Sequence, residues 1–306
     1  MKRITAIILS LAMVFALTSC GGQSGTGAPQ TSAPETSAPE TAAPETTAPD
    51  TTGPSFDEAV KLTFATAGKA GSLSALMYEN WMDMVTERSG GKITFDYQPG
   101  GVLGNEGELF QQIMDGVIEA GGGGIATYTN YNTLAEVYQL PFLINSYETE
   151  WAALQTPEWD AIIDAVEESI GSVYICGAVD VGMRHIATVD KPVTCLADLA
   201  GLKIRTVVSA TQQATWEAFG AIPMALDMGE VFTALQNHTV DAQENTLSSI
   251  TSYKMYEVQD YLSMTYHSYT PMPFYINRAK WDSLSENQQE AIQKASEEAR
   301  DYAREL

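Results

Sequence analysis

Positive charge is scarce in this chain, with 16 Lys and Arg against 39 Asp and Glu in 306 residues and a formal charge of −23. A nucleic-acid surface needs clustered cations to neutralise phosphates, so that class is excluded. A small anionic ligand is not, because one or two guanidinium groups in a cleft meet its charge locally. Cysteine and histidine are also rare. Cys20, Cys176 and Cys195, with His185, His238 and His267, show no metal-ligand spacing, so neither a metal site nor a cofactor is expected. Cys176 and Cys195 read as free, half-buried thiols rather than as the disulfide framework of a small secreted domain. The chain lacks a Gly-x-Ser-x-Gly elbow, a His-Glu-x-x-His pair and a phosphate-loop motif. Its amino-terminal apolar run, Ile4 to Leu17, is shorter than the roughly 18–20 residues that span a membrane.

That run follows Lys2 and Arg3 and reads as an export signal over 1–19. It ends in Leu17-Thr18-Ser19-Cys20, which resembles the bacterial lipoprotein cleavage box. The resemblance implies a lipidated Cys20 that tethers the chain to the outer face of the cytoplasmic membrane. Residues 20–55 repeat SAPET, SAPET, AAPET and TAPDT and offer almost nothing to bury. Such a tract reads as a disordered spacer.

The remaining ~250 residues exceed what one core comfortably organises, so two domains are expected. Lys61 to Ala65 reads as a strand. Leu73, Met77, Trp81 and Val85 then recur at helical spacing up to a Gly90-Gly91 cap. Ile93, Phe95 and Tyr97 alternate as a second strand, and Glu108 to Val117 reads as a second helix with Val117 on its buried face. That βαβα order implies a parallel sheet. Four glycines, Gly121 to Gly124, stand where the helix hands over to the next strand. Two readings are open for them, bare backbone that widens a cleft or an irregular turn. Tyr128 and Tyr131 follow directly; core packing suits such aromatics, but their position beside the glycines makes Tyr128 a candidate for a pocket wall.

The stretch from Asp198 to Asn245 reads as strand, helix, strand, helix, strand, with helices opening after Ser209 and near Met228. Arg205 ends the short strand Lys203-Ile204-Arg205. Ligands of open α/β sheets bind beyond the carboxyl ends of strands, and an arginine buried there without an anion would be costly. Arg205 is therefore the leading candidate for an anion contact. Asn105 and Glu106, in the LGNEGE turn, are candidates for hydroxyl contacts, with a helix cap as the other reading of the turn.

GLKIR, FGAIPM, EVFTALQ and VDAQEN resemble the solute-binding subunit of tripartite ATP-independent (TRAP) transporters, the DctP family. LTFATAG, RSGGKITFDYQPGGVLGNEGELFQQIMDGVIEA and LPFLI upstream, and INRAKWDSLSENQQEAIQ downstream, extend the likeness to nearly everything after Lys61. The resemblance implies an α/β, two-domain periplasmic-binding-protein-like fold with open, mostly parallel sheets and a ligand cleft between the domains. Domain I would comprise 56–181 and 271–306, and domain II 182–270. It further implies no enzyme, a small organic acid as ligand, and TRAP permease subunits as partners. Arg184 matches a second ligand-contacting arginine, with a surface salt bridge as the other reading, and Asn245 matches an orienting amide. Met228 occupies a position that is commonly aromatic in the family, which disfavours a flat or sugar-like ligand body. A sensor lipoprotein serving a signalling kinase and an exported hydrolase are the alternative functions. Family members continue past the last helix, so the face carrying Ala291, Ile292 and Ala295 is expected to be partly exposed, with fraying from Glu297 onward.

Overall fold

The computed structural model of the chain describes residues 58–303; the expected signal, Cys20 and the repeat spacer lie outside them. The described residues all fall within one compact unit. It opens with β1 (Val60–Ala65), α1 (Leu73–Arg88), β2 (Ile93–Gln98), α2 (Glu106–Met114), β3 (Ala120–Gly122) and α3 (Ala126–Thr129). Next come α4 (Tyr147–Ala153), α5 (Pro157–Ile170), β4 (Val173–Thr188), β5 (Lys203–Thr206), α6 (Ala210–Ala218), β6 (Ile222–Ala225), α7 (Met228–Gln236) and β7 (Ala242–Thr246). The chain closes with α8 (Leu247–Ser252), β8 (Tyr261–Asn277), α9 (Arg278–Asp282) and α10 (Glu286–Ala303).

The strands make one continuous eight-stranded sheet in the order β2-β1-β3-β8-β4-β7-β5-β6. Both ends are parallel βαβ arrays, as the alternating pattern predicts: β1 runs parallel to β2 and β3, and β5 parallel to β6 and β7. The centre departs from the expected pair of open, mostly parallel sheets. β4 and β8, of 16 and 17 residues, pair antiparallel along their length and join the two arrays. A chain that leaves one lobe by one strand and returns by the next must run in opposite senses, which is why the centre is antiparallel.

Between the pairs Asp180↔Pro271 and Met183↔Tyr269 the β4–β8 register shifts. Here β4 inserts an extra residue, and Gly182 takes φ 98°, a conformation that suits glycine. Pro271 and Pro273 withdraw two N–H groups from the β8 ladder at the same place. The irregularity aims the side chain of Arg184, two residues on, towards the space between the lobes.

Helices cover both faces of each lobe. Trp81, Val85 and Tyr78 of α1 pack with Ile292, Ala295 and Ala299 of α10 on one face of the first lobe. Leu109, Phe110 and Ile113 of α2 pack with Val166 of α5 on the other. Ala291, Ile292 and Ala295 are buried, at 5%, 0% and 0% exposure, which corrects the expectation of an uncovered face. The apolar stripe of α10 is satisfied by α1 and the sheet themselves. Its start is set by the Ser285/Gln288 capping box read from sequence: the Gln288 N–H donates to the Ser285 Oγ (3.3 Å) and the Ser285 N–H to Gln288 Oε1 (3.1 Å).

The second helix is displaced from its expected limits. Asn105 Oδ1 accepts the Glu108 N–H and Glu108 accepts the Asn105 N–H, both at 3.0 Å, so the helix begins at Glu106 and is over by Met114. Val117 is consequently exposed, not buried. The four glycines are neither an irregular turn nor simply an open wall. Gly121 and Gly122 lie within β3, where a Cβ on Gly121 would stand 2.5 Å from Ile113 Cδ1 and 2.7 Å from the Ala65 carbonyl oxygen. A Cβ on Gly122 would stand 2.4 Å from the Tyr78 ring on the opposite face. Close approach of both helix layers is what demands glycine.

Candidate ligand-binding site

A cleft of about 530 Å³ opens between the two lobes and is lined from both. The first lobe supplies the 67–68 and 100–107 loops with Gly124 to Thr127. The second supplies the ends of β5 and β7 and the amino-terminal ends of α7 and α8. Carboxyl ends of parallel strands converge here because the helices that follow them must turn back outside the sheet.

Arg205, on β5, is 3% exposed. Its Nε and Nη2 donate to the Leu226 carbonyl oxygen at 2.9 and 2.7 Å, which fixes the guanidinium plane. A guanidinium has five N–H donors; two are engaged, so three have no partner among the described residues. Burial pulls the group down to about 10, Arg184 adding to the effect and Glu244, Glu106 and Asp227 opposing it, so it stays charged at neutral pH.

Arg184, on β4, is committed elsewhere. It forms a buried, bidentate pair with Glu244, Nε to Oε2 and Nη2 to Oε1 (2.8 Å), and Nη2 also donates to the Glu244 carbonyl oxygen at 2.7 Å. Nη1 donates to Thr270 Oγ1 at 3.2 Å. Four of its five N–H groups are used, leaving one towards the cleft that Arg184 lines. The pairing expected of Arg184 as an alternative to ligand contact is present, but it is buried rather than superficial. His267 Nε2 lies 3.2 Å from Glu244 Oε2, and its Nδ1 2.8 Å from Thr265 Oγ1. Burial pushes the Glu244 carboxyl up, but Arg184 and His267 outweigh it and hold the group near 2.

Asn245 and Met228 meet at the same wall, Asn245 Nδ2 donating to Met228 Sδ at 3.5 Å while Asn245 Oδ1 accepts the Thr246 N–H at 3.0 Å. Glu106 enters from the first lobe. Its Oε1 accepts the Gly124 N–H at 3.0 Å, and its Oε2 accepts nothing from the described residues. Removal from water pushes this carboxyl above its usual range; the Gly124 N–H, Arg205 and Arg184 pull it back, and Asp227 reinforces the rise.

Tyr128 is not part of this wall, which corrects its candidacy. It is wholly buried, with its ring 4.8 Å from Phe110 and 5.6 Å from Tyr275. In the short helix α3 it is Ala126 and Thr127, just before it, that line the cleft. Sequence reasoning also passed over Asp227, the residue before α7, and Gln139, both on the cleft wall. Asp227 makes a capping box with Glu230 at the start of α7, a local pattern that a structural role alone would explain. Gln139 is recognised only through a contact 73 residues away, Gln212 Nε2 donating to its Oε1 at 3.1 Å across the lobes. A second contact across the cleft joins the Lys69 N–H to the Tyr253 hydroxyl oxygen at 3.0 Å.

The sequence model of the DctP family, described as bacterial extracellular solute-binding protein, family 7, matches residues 64–306. The chain belongs to this family. Among relatives of this family 7 protein, the 2,3-diketo-L-gulonate-binding periplasmic protein YiaO of Escherichia coli is 31% identical over 224 residues, covering 73% of this chain and 68% of its own. The sialic acid-binding periplasmic protein SiaP of Vibrio cholerae is 27% identical over 257 residues, covering 81% and 76%. The sugar acid binding protein DctPAm of Advenella mimigardefordensis, solved with galactonate, superposes with a TM-score of 0.76 at 26% identity, covering 81% of this chain and 79% of that one. A TRAP periplasmic solute-binding protein of Pseudomonas putida, solved with D-glucuronate, gives 0.77 at 27% identity, covering 81% and 80%. The two-domain fold of TRAP solute-binding proteins expected from sequence is therefore the fold of this chain. As a member of the family it is an extracytoplasmic solute-binding protein.

Proposed function

We propose that this solute-binding protein captures a small organic acid in the cleft and delivers it to TRAP permease subunits, acting as a receptor and not as a catalyst. The observation that carries the reading is Arg205: a buried guanidinium, locked by the Leu226 carbonyl, that lines a cleft of about 530 Å³ and has three N–H groups without a partner among the described residues. A carboxylate matches that fork through two parallel charge-assisted hydrogen bonds, which a lysine does not reproduce. Arg184 would add its one remaining N–H, and Asn245, Met228 and Glu106 would orient the ligand body. Relatives whose names specify sugar acids support an acidic ligand.

Domain I would comprise 56–181 and 271–306, and domain II 182–270, so that both crossings fall at the β4–β8 register shift near Gly182 and Pro271. Closure about that irregular segment would bury the ligand, with the Gln139–Gln212 and Lys69–Tyr253 contacts bridging the lobes. The amino-terminal run would be a signal peptide removed before Cys20, lipid on Cys20 would anchor the mature chain in the cell membrane, and 20–55 would tether it. A thermal-shift screen of organic acids tests the function. Binding to the native state stabilises it by about 2.7 kcal/mol at a hundredfold excess over the dissociation constant. At least one acid should raise the melting temperature, and a panel of neutral sugars and amines that did so in place of acids would overturn the reading.

A further inference from the structure

Resting on the reading of the lobes as domains that close on a ligand, we propose that two hydrogen bonds between them, Gln212 to Gln139 and Lys69 to Tyr253, form a two-point latch that holds the closed arrangement. Gln139 and Tyr253 lie on the cleft wall; Gln212 and Lys69 reach them from outside it. The two bonds sit on opposite faces of the sheet. Ile186 and Ala187 are successive residues of β4 and so point to opposite sides. Ile186 packs with Trp216 of α6, and Ala187 with Ile250 of α8 and with Tyr253. Gln212 stands one turn before Trp216, on the same buried side of α6. In the first lobe Gln139 follows Tyr138, which packs in the α2 and α5 layer, while Lys69 leads into α1 in the opposite layer. Rocking the lobes towards one face therefore pulls at the bond on the other, and parting them breaks both.

The glutamine pair is the stronger point. Gln139 is 5% exposed and Gln212 2%, so two long neutral amides are buried at a seam between lobes. Burying an amide is unfavourable unless it is hydrogen-bonded. The Gln212 Nε2 donates to the Gln139 Oε1 at 3.1 Å, and that bond exists only while the lobes are together. Parted lobes return both amides to water, where each is satisfied. The pair therefore favours closure only as a pair: with one amide removed, the other is buried without its partner, and the open arrangement gains. With both replaced by apolar side chains of similar length the seam is dry and nothing is left unpaired, so closure returns. The Lys69 contact is more exposed. There the backbone N–H donates to the Tyr253 hydroxyl oxygen at 3.0 Å and Nζ to the Ser252 carbonyl oxygen at 3.4 Å, bonds that water replaces at less cost. A ligand between the lobes leaves only after the latch parts, so the latch slows release through residues that need not touch the ligand.

The test is single-molecule energy transfer between a dye on Cys195, exposed in the second lobe, and one on Lys61→Cys, exposed in the first, in the full chain carrying Cys20→Ser and Cys176→Ser. Populations are read without ligand and then with D-galactonate, D-glucuronate and the acids of the thermal-shift screen. In the protein without ligand, Gln212→Met should lower the closed-to-open ratio at least about fivefold, the effect of one buried polar group left unpaired, and Tyr253→Phe about threefold. The double variant Gln139→Met with Gln212→Met should recover most of the closed population that either single variant loses, a rescue that a ligand contact or a purely packing role would not give. Should Gln212→Met fail to fold, Gln139→Met breaks the same bond from the other lobe. A ratio that Gln212→Met leaves unchanged, or a double variant that loses as much as the two singles together, overturns the latch. If an acid still closes the lobes in that case, the closure reading survives without it. If native protein shows a single distance that no binding acid alters, the lobes do not move and both readings fall.

Discussion

Adding one methyl group to either glycine of β3 should destabilise the whole unit. In Gly121→Ala the new Cβ stands 2.5 Å from Ile113 Cδ1 and 2.7 Å from the Ala65 carbonyl oxygen. The isoleucine tip can rotate away. The carbonyl cannot, because it belongs to β1, which is paired with β2 on one side and β3 on the other. In Gly122→Ala the Cβ stands 2.4 Å from Tyr78 Cζ, in a ring that is fully buried and packed 5.3 Å from Phe64. Both contacts lie below any tolerated separation, so relief requires shifting a strand or a core helix. Overpacking of this kind costs about 1–3 kcal/mol, equivalent to roughly 2–12 °C in melting temperature for a protein of this size. Gly124→Ala is the control, its nearest contact being an ordinary 3.6 Å. Urea unfolding of the purified protein measures all three. Unfolding free energies for Gly121→Ala and Gly122→Ala within about 0.5 kcal/mol of native would refute the close-packing account of the glycine run. Combining Gly122→Ala with Tyr78→Leu should cost less than the sum of the two.

Glu244→Gln leaves the Arg184 guanidinium buried without its counter-ion and should cost about 3–5 kcal/mol by the same assay. His185 is held down to about 4 by burial first, with His267 and Arg184 adding to it. The unfolded chain therefore takes up a proton near pH 6.5 that the native state refuses until about pH 4, so stability is full above pH 6.5 and declines towards pH 4. His185→Asn should flatten that segment of the melting-temperature profile, and an unchanged slope would show that the histidine is not held neutral. Cys20→Ala should release the protein from membranes or leave an uncleaved precursor, and unaltered processing and fractionation would count against a lipid anchor.

Much of the fold was legible because its signals are local. Gly90-Gly91, Ser209 and the Ser285/Gln288 pair all end or begin helices where their chemistry says they should. The long central strands were not, since β4 passes through the polar segment Gly182 to His185 and loses the apolar run that marked its start. Arg205 reads as an anion ligand because a charge at the end of a short apolar strand needs a partner. Arg184 carries the same local signal, yet its partner Glu244 lies 60 residues on and is supplied only by strand pairing. Tyr128 failed for a related reason. Adjacency to the glycines says that it is near the cleft, but the turn of a four-residue helix decides which way the ring points.

Ligand recognition, as proposed above, rests on the open fork of Arg205. Calorimetry of Arg205→Lys against the acid that gives the largest thermal shift tests it directly. The lysine keeps the positive charge and loses the paired donors, so affinity should fall by about 1.5–3 kcal/mol, some ten- to a hundredfold, with the melting temperature of the ligand-free protein little changed. A folded Arg205→Lys protein that binds the same acid with native affinity would contradict the account.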